Sequence, residues 1–206
     1  MSIYRDLLFT PQCLLCAQLG KPICLDCHEQ LKPFSTRRLS GITKIYCAGE
    51  YSGWLRETLI TYKNGNLRVV PALAQILLKT LEVRLSKLPL QVIPIPSSIV
   101  KIQERGYDSM AKLCAEMSQQ KKGLQVCQGA LYLRREVHDQ VGLTARERAT
   151  NLADAFTARH RLSGTVVIVD DVITTGATLS NAAKALRIAG AQSIFAITLC
   201  GSPDPR

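Results

Sequence analysis

The stretch Val166 to Leu179, VVIVDDVITTGATL, sets four apolar residues directly before two adjacent carboxylates, Asp170 and Asp171, and then a turn of threonines and glycine. If that turn opens a helix, the hydroxyls of Thr174, Thr175 and Thr178 and the backbone of Gly176 and Ala177 converge on one point. Phosphate suits such a place, because unpaired N-terminal donors and the positive end of the helix dipole both attract it, and a glycine lets the backbone come close. Two carboxylates beside a phosphate would repel it. They make chemical sense if they hold another part of the same ligand, sugar hydroxyls, directly or through magnesium. Taken singly, the acids can be capping groups and the Thr-Gly run an ordinary loop. The order of strand, paired acids, cradle and helix points to a phosphorylated sugar.

A second cluster is sulfur. Cys13, Cys16, Cys24 and Cys27 form two C-x-x-C knuckles separated by seven residues. Each knuckle presents two thiolates to one ion, and tetrahedral zinc with four thiolates fits that spacing. A redox dithiol needs only one such pair, so the spacing favours a closed structural site over a redox role or small packing residues. So short a segment has little core of its own, and zinc would supply its folding energy. Chelation is then expected to loosen residues 1–30 and leave the remainder folded. Cys47, Cys114, Cys127 and Cys200 stand in apolar stretches at no ligand spacing and read as packing residues.

Elsewhere Pro94 and Pro96 fix a turn, and Ser97 and Ser98 follow it with small hydroxyls and N–H groups expected to be free, which suits a second anion site opposite the first. Lys101 and Arg105 would close over that charge, with Lys63 adding to it. As an alternative they are ordinary surface cations.

The elements that must position these groups follow from periodicity. Residues 45–51, 90–96, 126–135, 165–170 and 193–200 read as strands, and 69–85, 107–120 and 178–191 as helices, the first of them amphipathic. Strand and helix in turn mean an α/β fold with a mostly parallel sheet covered on both faces. The polar, basic run QLKPFSTRRLSGITK, residues 30–44, reads as a connector, so residues 1–40 are expected to form the cysteine module with its linker and residues 41–206 the main domain. With 206 residues, 47% of them hydrophobic, the chain can bury a sizeable core. No run of apolar residues has the length of a membrane span or a signal peptide, so no membrane insertion is expected and the expected compartment is the cytoplasm. The net charge of +10 favours a polyanionic partner, nucleic acid or a multiply phosphorylated small molecule, with solubility as the alternative.

The Asp-Asp/Thr-Gly order resembles the motif with which type I phosphoribosyltransferases bind 5-phosphoribosyl 1-pyrophosphate. The four cysteines, YSGWLRETLITYKNGN, VIPIPSSIVKIQERGYDSM, QVGLTARERATNLADAF and VVIVDDVITTGATL stand in the order and spacing of the ComF/GntX competence-type family, over almost the whole chain. Where most members read R-G-F-N-Q, this chain has Arg105, Gly106, Tyr107, Asp108 and Ser109. The resemblance implies a type I phosphoribosyltransferase sheet carrying a small N-terminal zinc module. It assigns the ribose hydroxyls to Asp170 and Asp171, the 5′-phosphate to Thr174–Thr178 and the pyrophosphate to the Ser97–Ser98 loop, with magnesium accompanying the ligand. It makes Arg146, Glu147, Arg148 and Asn151 part of a loop closing over the site, solvated helix being preferred for Glu147. It further implies single-stranded DNA as a partner, tracked by an aromatic such as Tyr107 or Trp54, and an association with DNA-uptake proteins such as a helicase. No residue declares itself a general base and no acceptor pocket is legible, so catalysis is left unassigned. A transferase acting on an unidentified acceptor, or a regulator responding to the phosphorylated sugar, are the other readings.

Overall fold

The computed structural model describes residues 12–85, 90–134 and 155–203. Arg146, Glu147, Arg148 and Asn151 lie outside the described residues. Strands β1 (Phe34–Ser35), β2 (Lys44–Glu50), β3 (Leu90–Pro94), β4 (Gln125–Val126), β7 (Thr165–Val172) and β8 (Ser193–Gly201) form one sheet in the order β1-β2-β8-β7-β3-β4, and β5 (Leu131–Leu133) pairs with β6 (Phe156–Ala158) in a separate antiparallel ribbon. Every pairing in the large sheet is parallel except β1 with β2. The helices are α1 (Leu25–Gln30), α2 (Gly53–Lys63), α3 (Val70–Leu85), α4 (Ile99–Arg105), α5 (Ser109–Gln120) and α6 (Ala177–Ile188).

The run Val166–Val169 is wholly buried because it is central and covered on both faces. Its period of two divides it. Val167 and Val169 join Leu73, Leu77, Leu113 and Met117 of α3 and α5 on one face, while Val166 and Ile168 join Leu179, Ala182 and Leu186 of α6 on the other. The mostly parallel sheet covered on both faces, expected from the sequence, thus holds.

Three readings of local structure change. Residues 126–135 are not one strand: Val126 ends β4 and Leu131 starts β5, with a turn between them that takes Gly129 to φ +72°. Helix α3 is buried on nearly every side, its polar face reduced to a narrow stripe through Gln75, Lys79 and Glu82, because the same apolar cluster takes in the sheet, α5 and Ile23 of the cysteine segment. Strand β7 runs past the expected end at Asp170 to Val172 and takes in Asp171 as well, since β8 runs on to Gly201 and still offers Thr198 to Asp170 and Cys200 to Val172.

Part of the basic connector is built into the sheet. Phe34 and Ser35 pair with Cys47 and Tyr46, the Thr36 hydroxyl donates to the Ser202 carbonyl at 2.5 Å, and the Arg187 guanidinium donates to the Gly41 carbonyl at 3.2 Å. The next residues therefore lie along α6 and its N-terminal loop. Cys47, Cys114 and Cys200 are buried in the core and Cys127 half-buried, as packing residues should be. Among the described residues no helix is long and apolar enough to cross a membrane.

Candidate functional site

Strands β3 and β7 are adjacent and parallel, yet the chain leaves β3 toward β4 on one side and β7 toward β8 on the other. Such a reversal opens a crevice at the carboxyl ends of the strands, where open α/β sheets bind ligands. The register Pro94↔Val169, continued by the Ile95 N–H donating to the Val169 carbonyl at 2.9 Å, brings the Pro96–Ser98 loop out beside Asp170. The two motifs, far apart in sequence, thus leave the sheet side by side.

Asp170 and Asp171 are both half-buried. The Asp171 N–H donates to Asp170 Oδ1 at 2.8 Å, and the Lys63 ammonium sits 2.5 Å from Asp171 Oδ2. Burial, and next the charge of Asp171, push the Asp170 carboxyl up to about 8, against the pull of the Asp171 N–H and of Lys63 and Lys101. Adjacent acids in a desolvated crevice do not both ionise readily without a cation to share. Lys63, expected at the pyrophosphate side, is on the acid pair.

The loop after β7 leaves Thr174 and Thr175 exposed, Ala177 and Thr178 half-buried and Gly176 buried. Gly176 is the N-cap of α6 and takes φ +80°, a conformation that favours glycine. Its bare Cα also makes room for Leu39 of the connector, since a Cβ built there would strike the leucine side chain. Gly176→Val is accordingly expected to lose both the loop conformation and the Leu39 contact. Phosphate binding should fall beyond detection in a titration with ribose 5-phosphate, and a variant binding as tightly as the parent would contradict the cradle.

Opposite, the expected free N–H groups are only partly present. The Ser97 N–H donates to Asp108 Oδ2 and its hydroxyl to Asp108 Oδ1, both at 3.1 Å, while Asp108 Oδ1 also accepts from the N–H groups of Met110 and Ala111 as the N-cap of α5. One carboxylate thereby staples the Ser97 loop to α5. Ser98 Oγ caps α4, accepting from the Lys101 N–H at 3.4 Å, and Arg105, in the last turn of α4, is half-buried. Asp108 was missed in the sequence, although an Asp directly before a helix is a capping signal.

Tyr107 does not offer an open ring. Its hydroxyl donates to the Tyr62 carbonyl at 2.6 Å, its ring lies 5.7 Å from that of Tyr62, and the Tyr62 hydroxyl donates to the Ser109 carbonyl at 2.6 Å. Together these bonds fix the last turn of α2, and so Lys63, against the start of α5. Trp54 is half-buried against the same core. The exposed aromatic near the carboxyl end of β2 is Tyr51, with the Arg56 guanidinium 5.7 Å from its ring centroid.

The four N-terminal cysteines do come together. One sulfur from each lies within 4.8 Å of all the others, with Cys16 and Cys24 at 3.6 Å, against about 3.8 Å between sulfurs at Zn–S distances of about 2.3 Å in a tetrahedron. Cys13 and Cys27 are buried, Cys24 nearly so and Cys16 exposed. Burial opposes the Cys13 thiolate, but N–H groups of Cys24, Cys16 and Leu15 outweigh it and lower the thiol to about 6, while the Cys24 thiol and then burial raise Cys27. Thiols so crowded ionise together only around a cation, and the cluster can hold a metal such as zinc.

Residues 58–206 match the phosphoribosyl transferase domain. Competence protein F of Haemophilus influenzae is 34% identical over 114 residues, 52% of this chain and 48% of that protein, so the chain spans about half the length of that relative. DNA utilization protein YhgH of Shigella flexneri is 28% identical over 204 residues, 95% of this chain and 85% of that protein, and the YhgH of Escherichia coli K12 matches to the same extent. A mostly parallel sheet whose strands β3 and β7 open a crevice, with paired acids and a Thr-Gly loop opening a helix at its edge, accords with that match, and the chain belongs to the phosphoribosyl transferase domain family, of ComF type.

Proposed function

We propose that this protein binds phosphoribosyl pyrophosphate together with magnesium in the crevice between β3 and β7, binds single-stranded DNA on its basic surface, and acts in DNA uptake. The observation that carries the first part is the register Pro94↔Val169, which sets the Ser97–Ser98 loop beside Asp170 and Asp171 so that one ligand can span both. Asp170 and Asp171 would take the ribose hydroxyls, Thr174–Thr178 the 5′-phosphate, and Ser98, Lys101 and Arg105 the pyrophosphate end. Asp108 and Tyr107 are positioning residues, holding the Ser97 loop and Lys63 in place. Magnesium, where bound, would neutralise the pyrophosphate and share its charge with the acid pair. Zinc at Cys13, Cys16, Cys24 and Cys27 would be structural. The relatives' names, competence and DNA utilization, support the DNA part, as does the net charge of +10.

The raised Asp170 pKa gives this reading a pH signature. With Asp170 raised to about 8, a ligand taken by its ionised form would release a proton on binding, so affinity should climb as pH rises toward about 8 and level off above it. Calorimetry near pH 7 in buffers of different ionisation enthalpy should register release of close to one proton per site, and Asp170→Asn should remove that release. Uptake of a proton would contradict it.

Salt dependence tests the DNA part. Oligonucleotide affinity should fall steeply with salt, log K declining by about 0.7 per phosphate contacted for each unit of log salt. No binding at low salt would leave a small-molecule protein, and formation of a ribosylated product from phosphoribosyl pyrophosphate and a nitrogen acceptor would make it a transferase.

A further inference from the structure

The connector carries a cleft that the phosphoribosyl pyrophosphate site does not use. It is about 100 Å³ and is lined by Ser35, Thr36, Arg37, Arg38, Leu39 and Lys44, among others. Arg37, Arg38 and Lys44 are exposed, and among the described residues none of the three has a carboxylate partner. Three basic residues stand in its lining with Ser35 and Thr36, and no acid does. The cleft is not remote from the crevice. Leu39 forms part of its wall and also packs on Gly176 of the Thr-Gly loop, so the two share a residue.

In the placement proposed above, phosphoribosyl pyrophosphate would run from Thr174–Thr178 toward the acid pair and the Ser98 loop, and none of its groups is assigned to this cleft. A polynucleotide differs in just this respect. Its 5′-phosphate continues into the preceding nucleotide, whose own phosphate would fall on the far side of Leu39. We infer that the Arg37–Arg38–Lys44 cleft is a phosphodiester subsite continuous with the phosphate loop, so that a single-stranded oligonucleotide threads across Leu39 and occupies the same loop as the 5′-phosphate of the small ligand. This rests on the single-stranded DNA reading above and adds to it a path and a competition: oligonucleotide and phosphoribosyl pyrophosphate exclude one another at Thr174–Thr178, while only the oligonucleotide reaches the arginines. Arginine suits the task, because its planar fork grips a phosphate with two donors.

The test compares the parent, Arg37→Ser/Arg38→Ser and Arg37→Lys/Arg38→Lys, each zinc-loaded and matched in thermal unfolding, with oligothymidylate as probe and with phosphoribosyl pyrophosphate plus magnesium as a separate ligand. The serine variant should bind the oligonucleotide at least tenfold more weakly than the parent. Its log K against log salt should flatten by about 1.4, the contribution of two phosphate contacts on a single strand. Its affinity for phosphoribosyl pyrophosphate should stay within twofold, and the lysine variant should recover most of the slope. In the parent, phosphoribosyl pyrophosphate should displace the oligonucleotide competitively. Equal oligonucleotide affinity in parent and serine variant overturns the subsite, and a parallel fall in phosphoribosyl pyrophosphate affinity overturns its separation from the sugar site. Non-competitive binding overturns the shared loop. A parent that binds no oligonucleotide at low salt overturns the DNA reading itself, an outcome distinct from all three.

Discussion

Cys24→Ser is expected to release the metal from the N-terminal cluster and to lower the stability of the whole chain, not of residues 12–31 alone. Apparent binding energies of structural zinc are about 10–16 kcal/mol at neutral pH, and they are folding energies when the segment has no core of its own. Here the segment's apolar contribution is small but shared: Cys13, Ile23 and Cys27 are buried in the cluster that includes Leu73, Leu77 and Leu81 of α3, and the Arg84 guanidinium bonds the Pro33 carbonyl. Loss of the metal would uncover Ile23 and the α3 face beneath it, at about 1.5–3 kcal/mol for each large side chain returned to water. On this packing chelation is expected to reach beyond residues 1–30, to which the sequence alone would confine it. Elemental analysis should find about one zinc per parent chain and little in the variant, and thermal unfolding should show the variant and the chelated parent shifted down together. A variant retaining the parent's zinc content would refute the four-thiolate site.

Asp171→Asn should weaken phosphoribosyl pyrophosphate with magnesium by about ten- to a hundredfold, the cost of a charged hydrogen bond of about 1.5–3 kcal/mol. The neutral amide keeps the shape, so the loss reports charge. It also leaves Lys63 without its partner at 2.5 Å and removes the like charge beside Asp170. The pH at which affinity levels off should therefore move below 8, although burial still holds Asp170 above the ordinary carboxylate range. Inorganic phosphate, which has no ribose hydroxyl to meet the acids and would touch only the Thr-Gly loop, should lose much less. Equal losses for both ligands would mean that the substitution had disturbed the loop and not the acids.

How far the sequence disclosed this arrangement depends on which residues carry local signals. The unbroken run Val166–Val169 marks a buried strand whatever follows it, and the acids and glycine after it are chemically conspicuous. Two C-x-x-C pairs declare a common ligand. Helix α2 lies outside the helices read from periodicity, although Leu55, Leu59 and Tyr62 are spaced as one buried helical face. Strand β1 has no such signal, since two residues have no period and are a strand only because the edge of β2 is there to pair with. The same holds for the contacts of Leu39 with Gly176, 137 positions apart, and of Asp108 with Ser97, 11 positions apart. They arise from which strands lie side by side, and the parallel order β2-β8-β7-β3 is not written in any one stretch.

The central claim is that one crevice holds a ribose between paired acids and its phosphate in the loop that follows. Isothermal calorimetry of the folded, zinc-loaded protein with phosphoribosyl pyrophosphate, with and without magnesium, tests it most directly. Binding to one site per chain that weakens sharply when magnesium is withheld is the predicted result, and the absence of binding with magnesium present would contradict the claim.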